Sequence, residues 1–420
     1  MKKLLLALLI VSIATISKGS KKDPQETLGK YAVSANSVVA DTSKNGPQIP
    51  VIAILAIPEN LTNVSRYQQL RASGVTMSYY HFSSADAMQA ALDVGQQVGL
   101  KLFVSCPEII SDPEKTVRRF MNHPALAGYF LSDEPSRKDF LQVGKLVKRI
   151  RAIDNKHICY VNLFPNYQVE KYLGASTYNE YLDSFIKEVP TQIISFDHYP
   201  ITGSTRQSVR PSFYQNLETI AKASQRSGRP FWAFALSVGQ PPYPVPTLGA
   251  LKLQVYSNLA YGAQGIQYFT YWTPSTPQFR TAAIGTDGRQ TEVYQSLQQL
   301  NKEIKGLSGV FLGAKVVSVN HTGDVAPRGT RRLIKLPKPI ALLKTDGLGA
   351  VVSVMKNKAK SYLVIVNHDF TTPMTVSIKC KPGVSRVQKD GSSVRQNSNI
   401  NKVMVDPGDV AIYSWPYSMN

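Results

Sequence analysis

Two acidic motifs each close an apolar run. Asp133-Glu134-Pro135 follows LAGYFLS (126–132), and Asp197-His198-Tyr199 lies at the end of QIISFDHY (192–199). Carboxyl groups delivered in this way suit general acid, base or nucleophilic work. A pair of them flanking a glycosidic bond is enough to cleave it. The neighbouring apolar runs also end in polar or aromatic side chains: Glu59 and Asn60, Tyr80 and His81, Cys106 and Glu108, Asn162 and Asn166, Ser237 and Gln240, Tyr271 and Trp272. Aromatic rings stack on the apolar faces of sugars, while amides and carboxylates bind hydroxyls. The set therefore predicts a carbohydrate ligand. A Schiff-base aldolase needs a lysine inside these runs, and the only one present is Lys101, at the start of its run. The six histidines show no metal-ligand spacing, so no metal and no organic cofactor is expected.

The elements that must carry these groups are eight short runs: VIAILAIP (51–58), VTMSYY (75–80), KLFVSC (101–106), LAGYFLS (126–132), HICYVNL (157–163), QIISFDH (192–198), PFWAFAL (230–236) and GIQYFTY (265–271). Each is nearly continuously apolar, as a strand buried on both faces should be. Amphipathic, helix-length segments separate them, for example 85–99, 138–153 and 248–263. Strands alternating with helices predict a parallel sheet, and eight such units predict an α/β fold of the (β/α)8 TIM-barrel type. The rival is an open doubly wound sheet. It would want a glycine-rich phosphate turn after the first strand, where this chain reads IPENLTN. If the barrel is right, the listed side chains share its C-terminal mouth.

After a last helix (292–307) the period changes to short alternating runs separated by Asp346-Gly347, Asp390-Gly391 and Pro407-Gly408. This predicts a small C-terminal antiparallel β-sandwich. At the other end, Lys2 and Lys3 precede an apolar run from Leu4 to Ile13 and small residues near Gly19. That pattern is an export signal, too short to span a bilayer. The expected organisation is a signal peptide (1–20), a polar leader (21–47), a catalytic barrel (48–310) and the β-sandwich (311–420). The expected location is outside a bacterial cytoplasm, periplasmic or secreted, without a transmembrane anchor.

Composition agrees with a large globular chain: 420 residues, 43% hydrophobic, 18% charged. Three cysteines exclude a disulfide framework and are expected as free thiols. Formal net charge is +20, and residues 311–420 hold sixteen Lys/Arg against six Asp/Glu. No nucleic-acid motif accompanies this charge, so no nucleic-acid partner is expected. A solvated basic face is the plain reading, and contact with an acidic glycan is the functional one.

Four segments resemble a known group. GYFLSDEPS (128–136) resembles the fourth-strand signature of clan A glycoside hydrolases, usually Asn-Glu-Pro. IISFDHYP (193–200) resembles the sixth strand of the family 42 β-galactosidases, and GAQGIQYFTYWTPSTPQF (262–279) their eighth. GTDGRQTEVYQSLQQLNKEIKGL (285–307) resembles their final helix. The resemblance implies Glu134 as acid/base and Trp272 as a sugar-stacking residue. The chain departs from the pattern at strand seven. Clan A places its nucleophilic glutamate there, whereas PFWAFALSVGQPPYP (230–244) has no acid.

Three readings accommodate that departure. Asp197 is the second carboxylate, with a separation from Glu134 of about 5–5.5 Å for retention or about 6.5–9.5 Å for inversion. Alternatively Asp133 orients a substrate's own 2-acetamido group, as in the substrate-assisted family 123 hexosaminidases, which the Asp-Glu pair also resembles. In the third, the barrel binds glycan without cleaving it. The expected substrate contacts are Trp272, Tyr271, Tyr199, His198, Asn162, His81, Tyr80 and Gln240. The expectation is an exported glycoside hydrolase, and the alternative is a catalytically inactive glycan-binding barrel.

Overall fold

A computed structural model describes residues 41–43 and 46–419. The expected signal peptide and most of the leader lie outside the described residues. The end of the leader region forms a short antiparallel hairpin, Asp41–Ser43 against Gly46–Gln48, which the sequence reading had not anticipated.

The eight apolar runs form the eight strands of a closed parallel barrel. They are β1 (Val51–Ile54), β2 (Met77–Tyr79), β3 (Lys101–Val104), β4 (Leu126–Asp133), β5 (Ile158–Leu163), β6 (Ile194–Phe196), β7 (Phe231–Leu236) and β8 (Gly265–Phe269). Each pairs with its sequence neighbour, and β8 closes on β1 through Ile266–Val51 and Phe269–Ile54. Eight principal helices follow the strands in turn: α1 (Val64–Ala72), α2 (Ala85–Val98), α3 (Pro113–Phe120), α4 (Phe140–Ile153), α5 (Tyr178–Glu188), α6 (Ser212–Ser227), α7 (Leu248–Ala260) and α8 (Glu292–Gly306). Their starts are set locally. The side chains of Asn63, Ser84, Asp112, Thr177, Thr247 and Thr291 each accept a backbone N–H of the first turn.

Two apolar layers explain why the strands lack polar alternation. Ile52, Tyr79, Phe103, Tyr160, Trp232 and Phe234 fill the barrel interior. Val51, Val104, Val161 and Ala233 point the other way, onto helix residues such as Leu70, Leu92, Val147, Leu217 and Leu297. Gly265 makes room for the largest interior ring, since a Cβ there would lie 2.7 Å from Trp232.

Past α8, nine antiparallel strands follow: β9 (Lys315–His321), β10 (Ile340–Thr345), β11 (Ala350–Asn357), β12 (Lys360–Asn367), β13 (Met374–Cys380), β14 (Ser385–Val387), β15 (Ser393–Arg395), β16 (Ile400–Val405) and β17 (Val410–Pro416). They form a six-stranded sheet, β9-β11-β12-β17-β14-β15, and a three-stranded sheet, β10-β13-β16. Val352, Leu363, Val376, Ile378 and Trp415 form their shared core. The expected turns at 346–347, 390–391 and 407–408 all fall between strands. The opposite face of the larger sheet, including Val351, Tyr362, Val364 and Ile412, joins the outer core of the barrel. Cys106, Cys159 and Cys380 are free and buried, as expected. No helix among the described residues is long and apolar enough to cross a membrane.

Candidate active site

Asn162, at the end of β5, organises the mouth. Its side-chain Nδ2 donates to Asp133 Oδ1 and to Asp197 Oδ1, each at 3.1 Å. Asp133 is exposed, whereas Asp197 and Asn162 are buried. The amide is itself held from below. Tyr160 donates to Gln267 Oε1 at 2.5 Å, Gln267 Nε2 donates to Ser195 Oγ at 2.9 Å, and Ser195 donates to Asn162 Oδ1 at 3.0 Å. This polar chain crosses the barrel interior, with every donor matched to an acceptor.

Glu134 stands next to Asp133 in an unusual backbone state. Its φ is +47°, in the left-handed region, and its N–H donates to the Asn162 carbonyl at 2.8 Å. A side chain held there costs about 1–2 kcal/mol. The Glu134 carboxylate lies within electrostatic reach of the other two acids' surroundings. The Tyr199 phenol is pushed well above its ordinary pKa by burial and then by the charges of Asp197, Tyr167, Glu134 and Asp133. Tyr181 is raised likewise, by burial, Tyr178, Glu134 and Asp197. The charges of Asp133, Glu134 and Asp197 thus all act on one buried tyrosine.

The other strand-end carboxylates serve the loops. Glu59 accepts from the Ser83 N–H and hydroxyl, both at 2.6 Å, and Glu108 accepts from Ala85 N–H at 3.0 Å. At the end of β7, Ser237 donates to the Thr270 carbonyl at 2.9 Å, and no acid is present there. No cluster of metal-ligating side chains occurs among the described residues. The Cys106 thiol is pushed up to about 12 by burial and by Glu108, which makes it a poor nucleophile.

The aromatic and histidine candidates divide by position. Tyr199 lies in the interior cluster, edge-on to Tyr243 and close to Phe269. His81 sits at the rim, its ring nitrogens 2.6 Å from Tyr79 Oη and 3.1 Å from Ser105 Oγ. Gln240 lies in the loop after β7, its backbone paired with Tyr243. His198 turns toward α6, with Nε2 3.1 Å from Ser212 Oγ; burial, then the Arg210 charge, lowers its pKa to about 3, so it stays neutral. Tyr80 packs outward against Phe82 and the helical layer, because Met77 and Tyr79 take the inward positions of β2. Tyr271 and Trp272 also belong to the outer core, the Trp272 ring lying under the Arg66 guanidinium at 5.3 Å. They fall in a different apolar cluster from Tyr199. The half-buried aromatics of the interior cluster are instead Phe130 and Phe269, which the sequence reading did not single out. Phe130 stacks on Tyr79 with centroids 4.0 Å apart.

Two further residues went unnamed in the sequence. Tyr167, after β5, lies 3.4 Å from Tyr243 across their hydroxyls. Arg210, at the foot of a small hairpin inserted after β6 (Ile201–Thr202 with Ser208–Val209), stacks over the Tyr167 ring at 4.4 Å.

Residues 147–307 match the family model described as beta-galactosidase, glycoside hydrolase family 42. The chain is a glycoside hydrolase-like TIM barrel. It is similar to the β-galactosidase from Bacillus circulans sp. alkalophilus, with a TM-score of 0.60 and 9% identity over 89% of this chain and 100% of that one. A GH42 β-galactosidase from G. stearothermophilus, solved as a catalytic mutant, gives 0.58 and 10% over 88% and 98%. The chain spans 60% of the β-galactosidase from psychrophilic Marinomonas ef1, at a TM-score of 0.44 and 11% identity over 61% of itself. At these identities the structural likeness is one of fold. No curated protein sequence matches the chain.

Proposed function

We propose that this glycoside hydrolase-like barrel cleaves glycosidic bonds of an oligo- or polysaccharide at its C-terminal mouth. Glu134 protonates the leaving oxygen. Asp197, buried and hydrogen-bonded by Asn162, stabilises or captures the oxocarbenium-like centre. Asp133 shares the same amide and assists from the solvent side. The observation that carries this reading is Asn162, whose side-chain amide binds both Asp133 and Asp197 while its carbonyl accepts the Glu134 N–H. Residues 48–310 act as the catalytic unit, with residues 311–420 as an accessory β-sandwich. The amino-terminal signal would carry the chain out of the cytoplasm. No cofactor enters the reaction, because acid–base groups of this kind suffice for glycoside hydrolysis.

A panel of 4-nitrophenyl glycosides and oligosaccharides tests the reading, run on the wild type and on Glu134→Gln. Turnover of the oligosaccharides lost in the variant, with a smaller loss on the 4-nitrophenyl glycosides, supports it. Binding without turnover on every member would return the chain to the glycan-binding alternative. A second reading rests on the acid-free end of β7 and on the exposed Asp133 beside Glu134. There Asp133 orients a substrate acetamido group. It requires activity confined to 2-acetamido sugars and a loss in Asp133→Asn larger than in Asp197→Asn.

A further inference from the structure

Residues 325–345 hold six Lys/Arg and no Asp or Glu, and Asp324 and Asp346 close the run at either end. Arg328, Arg331, Arg332, Lys335, Lys338 and Lys344 are all exposed. Arg332 is a brace, donating to the Gly323 and Asp324 carbonyls at 2.8 and 3.2 Å. Arg328, Arg331 and Lys335 form no ion pair among the described residues. No helix or strand holds residues 322–339, yet the segment is fastened to the sandwich. Leu333 N–H donates to the His321 carbonyl at 2.9 Å, and His321 N–H donates to the Arg331 carbonyl at 2.8 Å. Leu333 and Leu336 pack against the sandwich core, while Ile334 and Lys335 between them stay outside. The cations are thus displayed on a fixed backbone, and docking on it costs little further ordering of the chain.

The segment emerges at the mouth end of the barrel. The His321 ring lies 4.9 Å from that of Tyr214, in the first turn of α6. Gly329 approaches the next residue so closely that a Cβ there would lie 2.9 Å from Gln215 Cγ. Each helix of such a barrel starts at the face where the strands end. The start of α6 is tied to the strand-end loops directly: Ser212 Oγ lies 3.1 Å from His198 Nε2, and the Ser212 carbonyl accepts from Asn166 Nδ2 at 3.2 Å. The basic segment therefore shares an end of the barrel with Asp133, Glu134 and Asp197. Acids at a mouth repel an anionic chain, and a cationic surface beside them offsets that repulsion and draws the chain in.

We propose that Arg328, Arg331 and Lys335 form a docking surface for an anionic polysaccharide and hold it beside the mouth. A polymer with an anion on every repeat engages several of these cations at once, so contacts that are weak singly add up. An anionic bilayer fits less well. Leu333 and Leu336 turn inward, and the large apolar side chains left outside, Val325 and Ile334, are separate tips at 82% and 94% exposure. Membrane insertion needs a continuous apolar face. The docking surface stands on these residues alone; that the held polymer is also the substrate rests on the hydrolase reading.

Calorimetry on the full chain with polygalacturonate, dextran sulfate and neutral dextran of matched length tests it. At least one charged polymer should bind about 10-fold tighter than the neutral one, and less tightly as salt rises. The tighter of the two identifies the anion as carboxylate or sulfate. Combining Arg328→Gln, Arg331→Gln and Lys335→Gln should weaken that binding about 10-fold. Combining Lys115→Gln, Lys145→Gln and Lys148→Gln removes as much charge from exposed positions on α3 and α4 and should change it less than about 2-fold. Equal affinity for neutral dextran, or equal losses in the two variants, overturns the proposal. Tighter binding to phosphatidylglycerol vesicles or to single-stranded DNA than to either polysaccharide does so too. Reducing ends released from the preferred polymer complete the test: KM should rise in the first variant with kcat unchanged. A KM indifferent to these three charges overturns the proposal. A charged polymer held selectively, with no glycan of any kind cleaved, would defeat the hydrolase reading and leave the docking surface standing.

Discussion

The backbone N–H of Glu134 donates to the carbonyl of Asn162 at 2.8 Å. That bond joins the ends of β4 and β5 and holds Glu134 at a φ that glycine would adopt more readily. The same asparagine donates its side-chain amide to Asp133 and Asp197. One residue therefore positions the backbone of the proposed acid and the side chains of the two carboxylates near it.

Glu134→Gln should lower kcat/KM about 10²- to 10⁴-fold on glycosides with poor leaving groups, the range for losing a positioned general acid. The loss should shrink on 4-nitrophenyl glycosides, whose leaving group needs no proton. Steady-state kinetics on both series check this. Equal losses on the two would argue for a structural role.

The strain at Glu134 makes a separate prediction about stability. Glu134→Gly should be more stable than Glu134→Ala by about 1 kcal/mol, because only glycine accepts this φ without penalty. Urea unfolding of the two variants measures the difference. An alanine variant as stable as the glycine one would mean that the backbone relaxes.

Asn162→Ala removes the shared donor and leaves Ser195 facing a vacated acceptor. We expect a loss of about 1–3 kcal/mol, the usual cost of leaving buried polar groups unmatched. Activity should fall further than stability predicts, since both carboxylates lose their orientation. Thermal unfolding alongside kinetics separates the two effects.

Acid should weaken the fold through a buried histidine relay. Tyr261 Oη lies 2.9 Å from His321 Nε2, His321 Nδ1 is 3.0 Å from His368 Nε2, and His368 Nδ1 is 3.3 Å from the Leu348 carbonyl. Both rings are neutral here. Burial lowers both pKa values, with His368 further lowering His321. The unfolded chain binds these protons near pH 6.5 and the folded chain only well below, so their stabilisation is complete above pH 6.5 and declines as pH falls. Each contributes up to about 1.4 kcal/mol per pH unit in that window. Urea titrations from pH 7.5 to 5 should give a shallower slope in His368→Gln than in the wild type. Identical slopes would remove this account.

A second buried cluster joins α7 and α8 to the strands that follow them. Lys252 contacts Asp409 at 2.6 Å and Glu303 at 3.5 Å, while Lys389 contacts Asp409 and, at 3.2 Å, Glu303. Burial opposes ionisation of Asp409, yet the charges of Lys389 and Lys252 hold its pKa below the usual range. Asp409→Ala leaves two lysines facing one acid and should cost about 3–5 kcal/mol. Chemical denaturation measures it, and a loss under about 1 kcal/mol would show that water already screens the cluster.

The barrel was legible because its strands are apolar on both faces and its helices carry side-chain caps such as Ser84 and Thr247, signals written in adjacent residues. The three acids were legible for the same reason: Asp133, Glu134 and Asp197 lie where apolar runs stop. Side-chain direction was harder. On β2 the two-residue alternation already sends Tyr80 outward once Tyr79 is inward. On β8 the rule fails, because Tyr271 and Trp272 lie beyond Phe269, the last residue paired within the barrel, where strand phase no longer sets direction. Phe130 lies at a register shift between β4 and β5, so counting along the strand does not place it. Arg210 depends on a hairpin that pairs only two residues a side, Ile201 and Thr202 with Val209 and Ser208, too short for a periodic signal.

The chain of donors from Tyr160 through Gln267 and Ser195 to Asn162 has a direction that cannot be reversed locally. Rotating the Asn162 amide would set its oxygen against two anions and its nitrogen against a hydroxyl already committed to giving its proton. The bearing that Asn162 gives the acids is therefore inherited from Ser195 on β6 and Gln267 on β8. New rims can be grafted onto this scaffold, or drift over generations, while the acid pair keeps its aim.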